Sequence, residues 1–225
     1  MGSWINIIII VIVFMNLIMA VSSRIATCIR TVAVQGALIA FLPLMISGSS
    51  IAADRLVFSI MSVILKGFLF PWLLFRAQRE ADVRREIEPI GGSYSFSLII
   101  CLVLFLVSCW LSSRLPYIRP VSFEWIVPVS LATFFTGAFI IVSRTKALTQ
   151  VLGYLVLENG IYLFGMALLV EQSLLVELAI LLDIFVAVFV MGIAIFHISR
   201  EFDHINTHQL SELKDWVDSK EGQAG

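Results

Sequence analysis

Long apolar runs separated by short polar connections dominate this chain. Seven runs come close to the roughly 20 residues that an α-helix needs to cross a bilayer core. They are Trp4–Val21, Thr31–Ile46, Leu56–Phe75, Ser95–Leu111, Phe123–Val142, Ala147–Val170 and Leu174–Ile198. A backbone in lipid must satisfy its own hydrogen bonds, so such runs predict helices. The pattern therefore predicts an all-α, polytopic membrane protein with about seven transmembrane helices. The second run is the shortest and contains Pro43, which allows a bend or a re-entrant hairpin shared with the third run. No basic residue precedes the apolar stretch of the first run, so it is read as a span rather than a cleaved signal.

The connections set the topology. Those after spans one, three and five, with the C-terminal tail, carry Arg24, Arg30, Arg76, Arg79, Arg84, Arg85, Arg144, Lys146, Arg200, Lys214 and Lys220. The opposite side carries only Arg55, Arg114 and Arg119. The positive-inside rule then puts the N-terminus outside and the tail in the cytoplasm. Residues 1–94 hold the first three spans and a cytoplasmic connection in which Glu80 and Arg84 are spaced for a short helix. Residues 95–122 hold span four and an outer loop, 123–198 a three-helix unit, and 199–225 a polar cytoplasmic tail.

Composition narrows the function classes. Of 225 residues, 60% are apolar and 14% charged, against about 25% charged in an average soluble domain. This excludes a water-soluble globular protein, a disordered chain and a disulfide scaffold. A net charge of −1 gives no electrostatic basis for nucleic-acid binding. Cys28, Cys101 and Cys109 form no C-x-x-C pair and read as buried thiols.

Ionisable groups inside the apolar runs are the candidate chemistry, because a charge at mid-bilayer costs about 2.5–3.5 kcal/mol on insertion scales. Lys66, Glu158 and Asp183 lie near the centres of spans three, six and seven, at similar depth. In span six, Gln150, Tyr154, Glu158 and Tyr162 recur every four residues and so share one helix face. Asn159 flanks the glutamate. Such a stripe must face protein or water. Glu158, Asp183 and Lys66 are the candidate proton-translocating groups, with Tyr154, Asn159, Tyr162 and Gln150 as a supporting polar path. The competing reading makes the same groups interhelical glue. Lys66 either neutralises one of the acids or forms its own station, since sequence alone gives no contact.

Other features carry less. His204 and His208 stand in the polar tail with no third ligand nearby, which suits a solvated surface. No nucleophile elbow, phosphate loop, dinucleotide fingerprint or zinc-protease motif occurs. The chain itself shows no catalytic centre.

Residues 123–215 resemble the three-helix K subunit of respiratory complex I and the C subunit of Mrp-type cation/proton antiporters. The likeness rests on the basic turn Val142-Ser-Arg-Thr-Lys146, on Gly153 followed by Glu158-Asn159, on the central acid Asp183, and on the exit His197-Ile-Ser-Arg200. Glu158 lies about one turn further from the glycine than in the K pattern. The third-helix acid is aspartate, so the two acids are carried over as functional equivalents. A K-like unit preceded by four helices resembles the hydrogenase-4 component E family. The resemblance implies a membrane-arm subunit of a group 4 nickel–iron hydrogenase or formate hydrogenlyase-type complex in a prokaryotic inner membrane. It implies antiporter-like and H-type partner subunits, and a peripheral hydrogenase arm holding the nickel–iron and iron–sulfur centres. It implies no cofactor in this chain.

Overall fold

The computed structural model describes residues 2–46, 53–80, 94–115, 125–144 and 146–168, and Gly192. These residues are all helical apart from short connections. In chain order the helices are α1 (Gly2–Val21), α2 (Ile25–Ile46), α3 (Ala53–Ile64), a π-helical turn (Leu65–Leu69), α4 (Phe70–Glu80), α5 (Tyr94–Arg114), α6 (Ile126–Ser143) and α7 (Ala147–Leu168). Five segments among them are long and apolar enough to cross a membrane: Trp4–Val21, Ile25–Met45, Ser59–Arg79, Ser95–Arg114 and Ile126–Ser143. The protein is thus an all-helical, multi-pass membrane protein. α7 has 22 residues and is long enough to span about 33 Å. The expected seventh span with Asp183, the connection after Glu80 and the tail with its histidines lie outside the described residues.

The first helix shows how strongly the lipid environment governs this fold. Its run Ile-Ile-Ile-Ile-Val-Ile-Val is β-branched throughout, a composition that favours strands in water. In hydrocarbon an unpaired strand would expose every peptide group, so the run closes its hydrogen bonds as a helix. α2 begins at Ile25, six residues earlier than the apolar run suggests, and takes Arg30 into its second turn. It continues through Pro43 as one helix rather than turning back. Proline there removes the donor for the carbonyl four residues earlier. The Ser59 hydroxyl of α3 donates to the neighbouring Ala40 carbonyl at 2.6 Å and joins the two helices at this weakened point.

The distribution of polarity is inverted relative to a soluble protein. α5 turns Phe96, Ile99, Val103, Leu106 and Trp110 outward, while Ser97, Cys101, Ser108 and Ser112 are buried on its inner face. Hydroxyls inside the bundle back-bond to their own helices, as Ser108 does to Leu104, Ser130 to Val127 and Thr133 to Val129. α6 is the central helix. It runs alongside α7 over their whole common length and also meets α1 and α5.

Three glycines make that pairing possible. A methyl group at Gly137 would collide with the backbone of Leu157, and one at Gly160 with the backbone of Phe134. At Gly153 it would meet Ile140 and Ile141. Small residues let two helices approach backbone to backbone, where dispersion and not the hydrophobic effect holds them together in lipid.

Candidate functional site

The third apolar run contains the local irregularity that builds the site. Between α3 and α4 the chain takes a π-helical turn, Leu65-Lys-Gly-Phe-Leu69, with Lys66 as its buried residue. Such turns are rare, and they occur often at functional sites. The lysine stem lies along Gly36 of α2. A Cβ added at Gly36 would stand 3.0 Å from Lys66 Cβ and 3.3 Å from its Cδ. Glycine at that position therefore makes the channel through which the side chain passes toward α7.

Lys66 Nζ donates to Glu158 Oε1 at 2.6 Å. It lies 3.4 Å from Asn159 Oδ1, a long, weak contact, and 5.5 Å from the centroid of the Tyr162 ring, within the range at which a cation is attracted to an aromatic face. Both charged side chains are buried, Glu158 to 1% exposure. Beside them Gly36, Lys66, Phe70, Leu155 and Asn159 line a small cavity of about 10 Å³, close to the space one water occupies.

The arrangement has a specific chemical capacity. One proton moving along the Nζ–Oε1 bond converts an ammonium–carboxylate pair into an amine and a carboxylic acid without changing the net charge of the site. Either partner alone would be an uncompensated charge in a low-dielectric interior.

The structure thus brings together four of the residues singled out from the sequence: Lys66, Glu158, Asn159 and Tyr162. The other two members of the four-residue ladder lie nearer the α6–α7 turn. Tyr154 is half-buried against the apolar cluster of α1, α2, α4, α6 and α7. Gln150 donates through Nε2 to the Arg144 carbonyl at 2.9 Å and closes the α6–α7 turn. Asp183 lies outside the described residues.

Two buried features were not singled out from the sequence. Asn16 of α1 donates through Nδ2 to Thr133 Oγ1 of α6 at 2.8 Å, and Gln35 of α2 donates through Nε2 to Asn16 Oδ1 at 2.9 Å. An amide inside an apolar run was the available signal, the same signal that marked Gln150. The other feature is Arg144, which the charge pattern assigns to a cytoplasmic loop. Its side chain is buried, and Nη2 donates to the Ala20 carbonyl at 3.3 Å. A cation at the C-terminal end of a helix meets carbonyls that lack partners in the helix itself.

Among known proteins, the uncharacterized protein Rv0085 of Mycobacterium tuberculosis is 31% identical over 188 residues, 83% of this chain and 85% of that protein. Hydrogenase-4 component E of Escherichia coli is 27% identical over 164 residues, 72% of this chain and 75% of that protein. The component E of Shigella flexneri aligns with the same identity and coverage. No family model matches the chain, and no solved structure matches it.

Proposed function

The chain belongs to the family of the mycobacterial protein Rv0085 and is distantly related to hydrogenase-4 component E, and from this premise we propose that it is a proton-translocating subunit in the membrane arm of a complex I-related hydrogenase. The observation that carries this reading is the buried Lys66–Glu158 pair at 2.6 Å between two membrane helices. Buried ionisable groups inside a membrane are expensive, and transport is the use that most directly repays their cost.

In this reading Glu158 accepts a proton at Oε1 when the charge around the site changes, and Lys66 releases or regains the proton it shares with it. Asn159 and Tyr162 hold the ammonium in line. Asp183 is the second protonation site, and Tyr154 and Gln150 extend the polar path toward the α6–α7 turn. The partners are antiporter-like and H-type membrane subunits and a peripheral arm that carries the nickel–iron and iron–sulfur centres. The chain sits in a prokaryotic inner membrane with its N-terminus outside and its C-terminus in the cytoplasm.

The bridging position of the pair also favours a second reading, in which Lys66 and Glu158 only fasten the π-helical turn between α3 and α4 to α7 within a structural subunit. Proton uptake by membrane vesicles separates the two, measured for Glu158→Gln and Asp183→Asn in complexes that retain their subunits and hydrogen-evolving activity. The proposal requires loss of translocation with activity retained. Unimpaired translocation by both variants overturns it. Loss of assembly by Glu158→Gln supports the structural reading, and stimulation of transport by sodium would instead point to a cation/proton antiporter subunit of the Mrp class.

A further inference from the structure

α1 and α6 run parallel. Ile5 and Ile9 pack in one cluster with Ile126 and Val129, then Asn16 meets Thr133, and Arg144 reaches the Ala20 carbonyl. α5 runs the opposite way. Its Cys101 lies beside Thr136, whereas Phe105 shares a cavity with Val129, nearer the start of α6. The start of α1, the start of α6 and the end of α5 therefore lie at one end of the bundle, which Asn6, Trp125 and Arg114 mark.

The three helices leave a cleft of about 490 Å³ there, within the range of about 300–1,000 Å³ typical of sites that hold small molecules. Its walls include Asn6, Ile9 and Val13 of α1, Phe105 of α5, and Trp125 and Val129 at the start of α6. Ile9 and Val129 form a buried floor, while Trp125 and the further lining residue Phe14 are exposed. The cleft thus opens on the lipid-facing surface of the bundle.

Length and polarity together select an occupant. From Asn6 to Phe14 a helix rises about 12 Å, close to half of the roughly 30 Å hydrocarbon core. Beyond that depth Asn16 bonds directly to Thr133, and α1 and α6 are closed together. A membrane-crossing helix needs a groove along the whole core, whereas an acyl chain of one leaflet needs half of it. Asn6 and Trp125 bring the polar groups to the mouth, and the remaining lining is apolar. A carboxamide and an indole N–H are donors for the ester carbonyls of a glycerolipid, and tryptophan settles at this depth of a bilayer. Arg114 is exposed at the same end, with its guanidinium over the Trp110 ring, and its charge complements a phosphate.

We propose that the cleft between α1, α5 and α6 binds one phospholipid, with an acyl chain running from Asn6 toward Phe105 and the headgroup at the Trp125 end. The lipid belongs to the leaflet at the start of α1. It fills the gap between α1 and α5 and takes no part in the Lys66–Glu158 pair.

A cryo-electron microscopy map of the full-length protein, isolated with its native partners in lipid nanodiscs, tests this without any variant. Unbranched density running from Trp125 toward Phe105 is expected. Polypeptide side chains in the cleft, or α1 and α5 closed over it, overturn the proposal. A second test uses phosphatidylglycerol with a photoreactive group on its acyl chain, and mass spectrometry to map the cross-links. Phe105 in the cleft and Ile60 on the exposed face of α3 should both be labelled. Val13→Trp fills the cleft and should lower labelling of Phe105 several-fold, with Ile60 unchanged. Labelling of Phe105 that Val13→Trp leaves unaltered overturns the site. Equal labelling of Phe105 by the diacylglycerol with the same acyl chain overturns the assignment to a phospholipid, since only the phosphate headgroup is then missing. Proton translocation enters neither readout, so failure of the proton-path reading leaves the lipid site standing, and the reverse.

Discussion

Lys66 and Glu158 are 92 residues apart in sequence and meet at 2.6 Å inside the bundle. The pair ties the π-helical turn between α3 and α4 to the middle of α7. Removing one partner leaves the other buried and charged, whereas removing both leaves an apolar contact. Lys66→Met and Glu158→Leu are each expected to destabilise the protein by about 3–5 kcal/mol, with the double variant recovering most of that loss. Chemical unfolding in micelles measures it. Additive losses in the double variant would show that the two charges do not depend on one another.

The glycine seam predicts a sharp contrast among glycine substitutions. Gly137→Ala and Gly160→Ala each push a methyl group into the backbone of the facing helix. Overpacking of this kind costs about 1–3 kcal/mol. At Gly67 the added methyl would meet only the Ala37 methyl at 3.7 Å, an ordinary contact, so Gly67→Ala should shift stability by less than about 1 kcal/mol. Thermal unfolding of the three variants checks the order. Equal effects at all three positions would contradict the close approach of α6 and α7.

The Asn16–Thr133 hydrogen bond joins the first helix to the sixth. Hydrogen bonds between membrane helices average about 0.6 kcal/mol and reach about 1.7 kcal/mol. A cycle of Asn16→Leu and Thr133→Val should return a coupling energy in that range. Thr133→Val keeps the shape of the side chain, so a loss much larger than this would point to packing and not to the hydrogen bond.

Arg144 predicts a change in thiol accessibility. It anchors the α6–α7 turn on the Ala20 carbonyl, and Cys28 is buried in the apolar cluster at the same end of the bundle. Arg144→Ala should raise maleimide labelling of Cys28 several-fold while Cys101, buried between α5 and α6, stays protected. Labelling of both thiols would indicate general loosening. Labelling of neither would show that the turn stays docked without the arginine.

The sequence was most legible where one physical requirement dominates. Helices are the only way for isolated apolar runs to satisfy their peptide groups in lipid, so the fold class and five of the spans follow from hydropathy alone, even for the β-branched first run. The cost of a mid-membrane charge marked Lys66 and Glu158 individually, and the fourfold spacing in α7 placed Tyr162 on the face of the glutamate. Helix ends were less legible. Arg24 and Arg30 look like loop charges, yet α2 starts between them, because a cationic head can reach the interface from inside a helix.

Tertiary structure decided which of the marked groups meet. Periodicity assigns Gln150, Tyr154, Glu158 and Tyr162 to one face with equal weight. The packing of α2 and α4 selects Glu158 and Tyr162 for the lysine and leaves Gln150 to the turn. Gly36 and the π turn aim Lys66, and neither has a one-dimensional signature. The amide network is of the same kind: Asn16, Gln35 and Thr133 lie on three different helices and meet only in the folded chain. Transfer into lipid is a property of each segment and can be read segment by segment. Pairing of buried polar groups is a property of contacts between distant segments, and only the folded chain contains it.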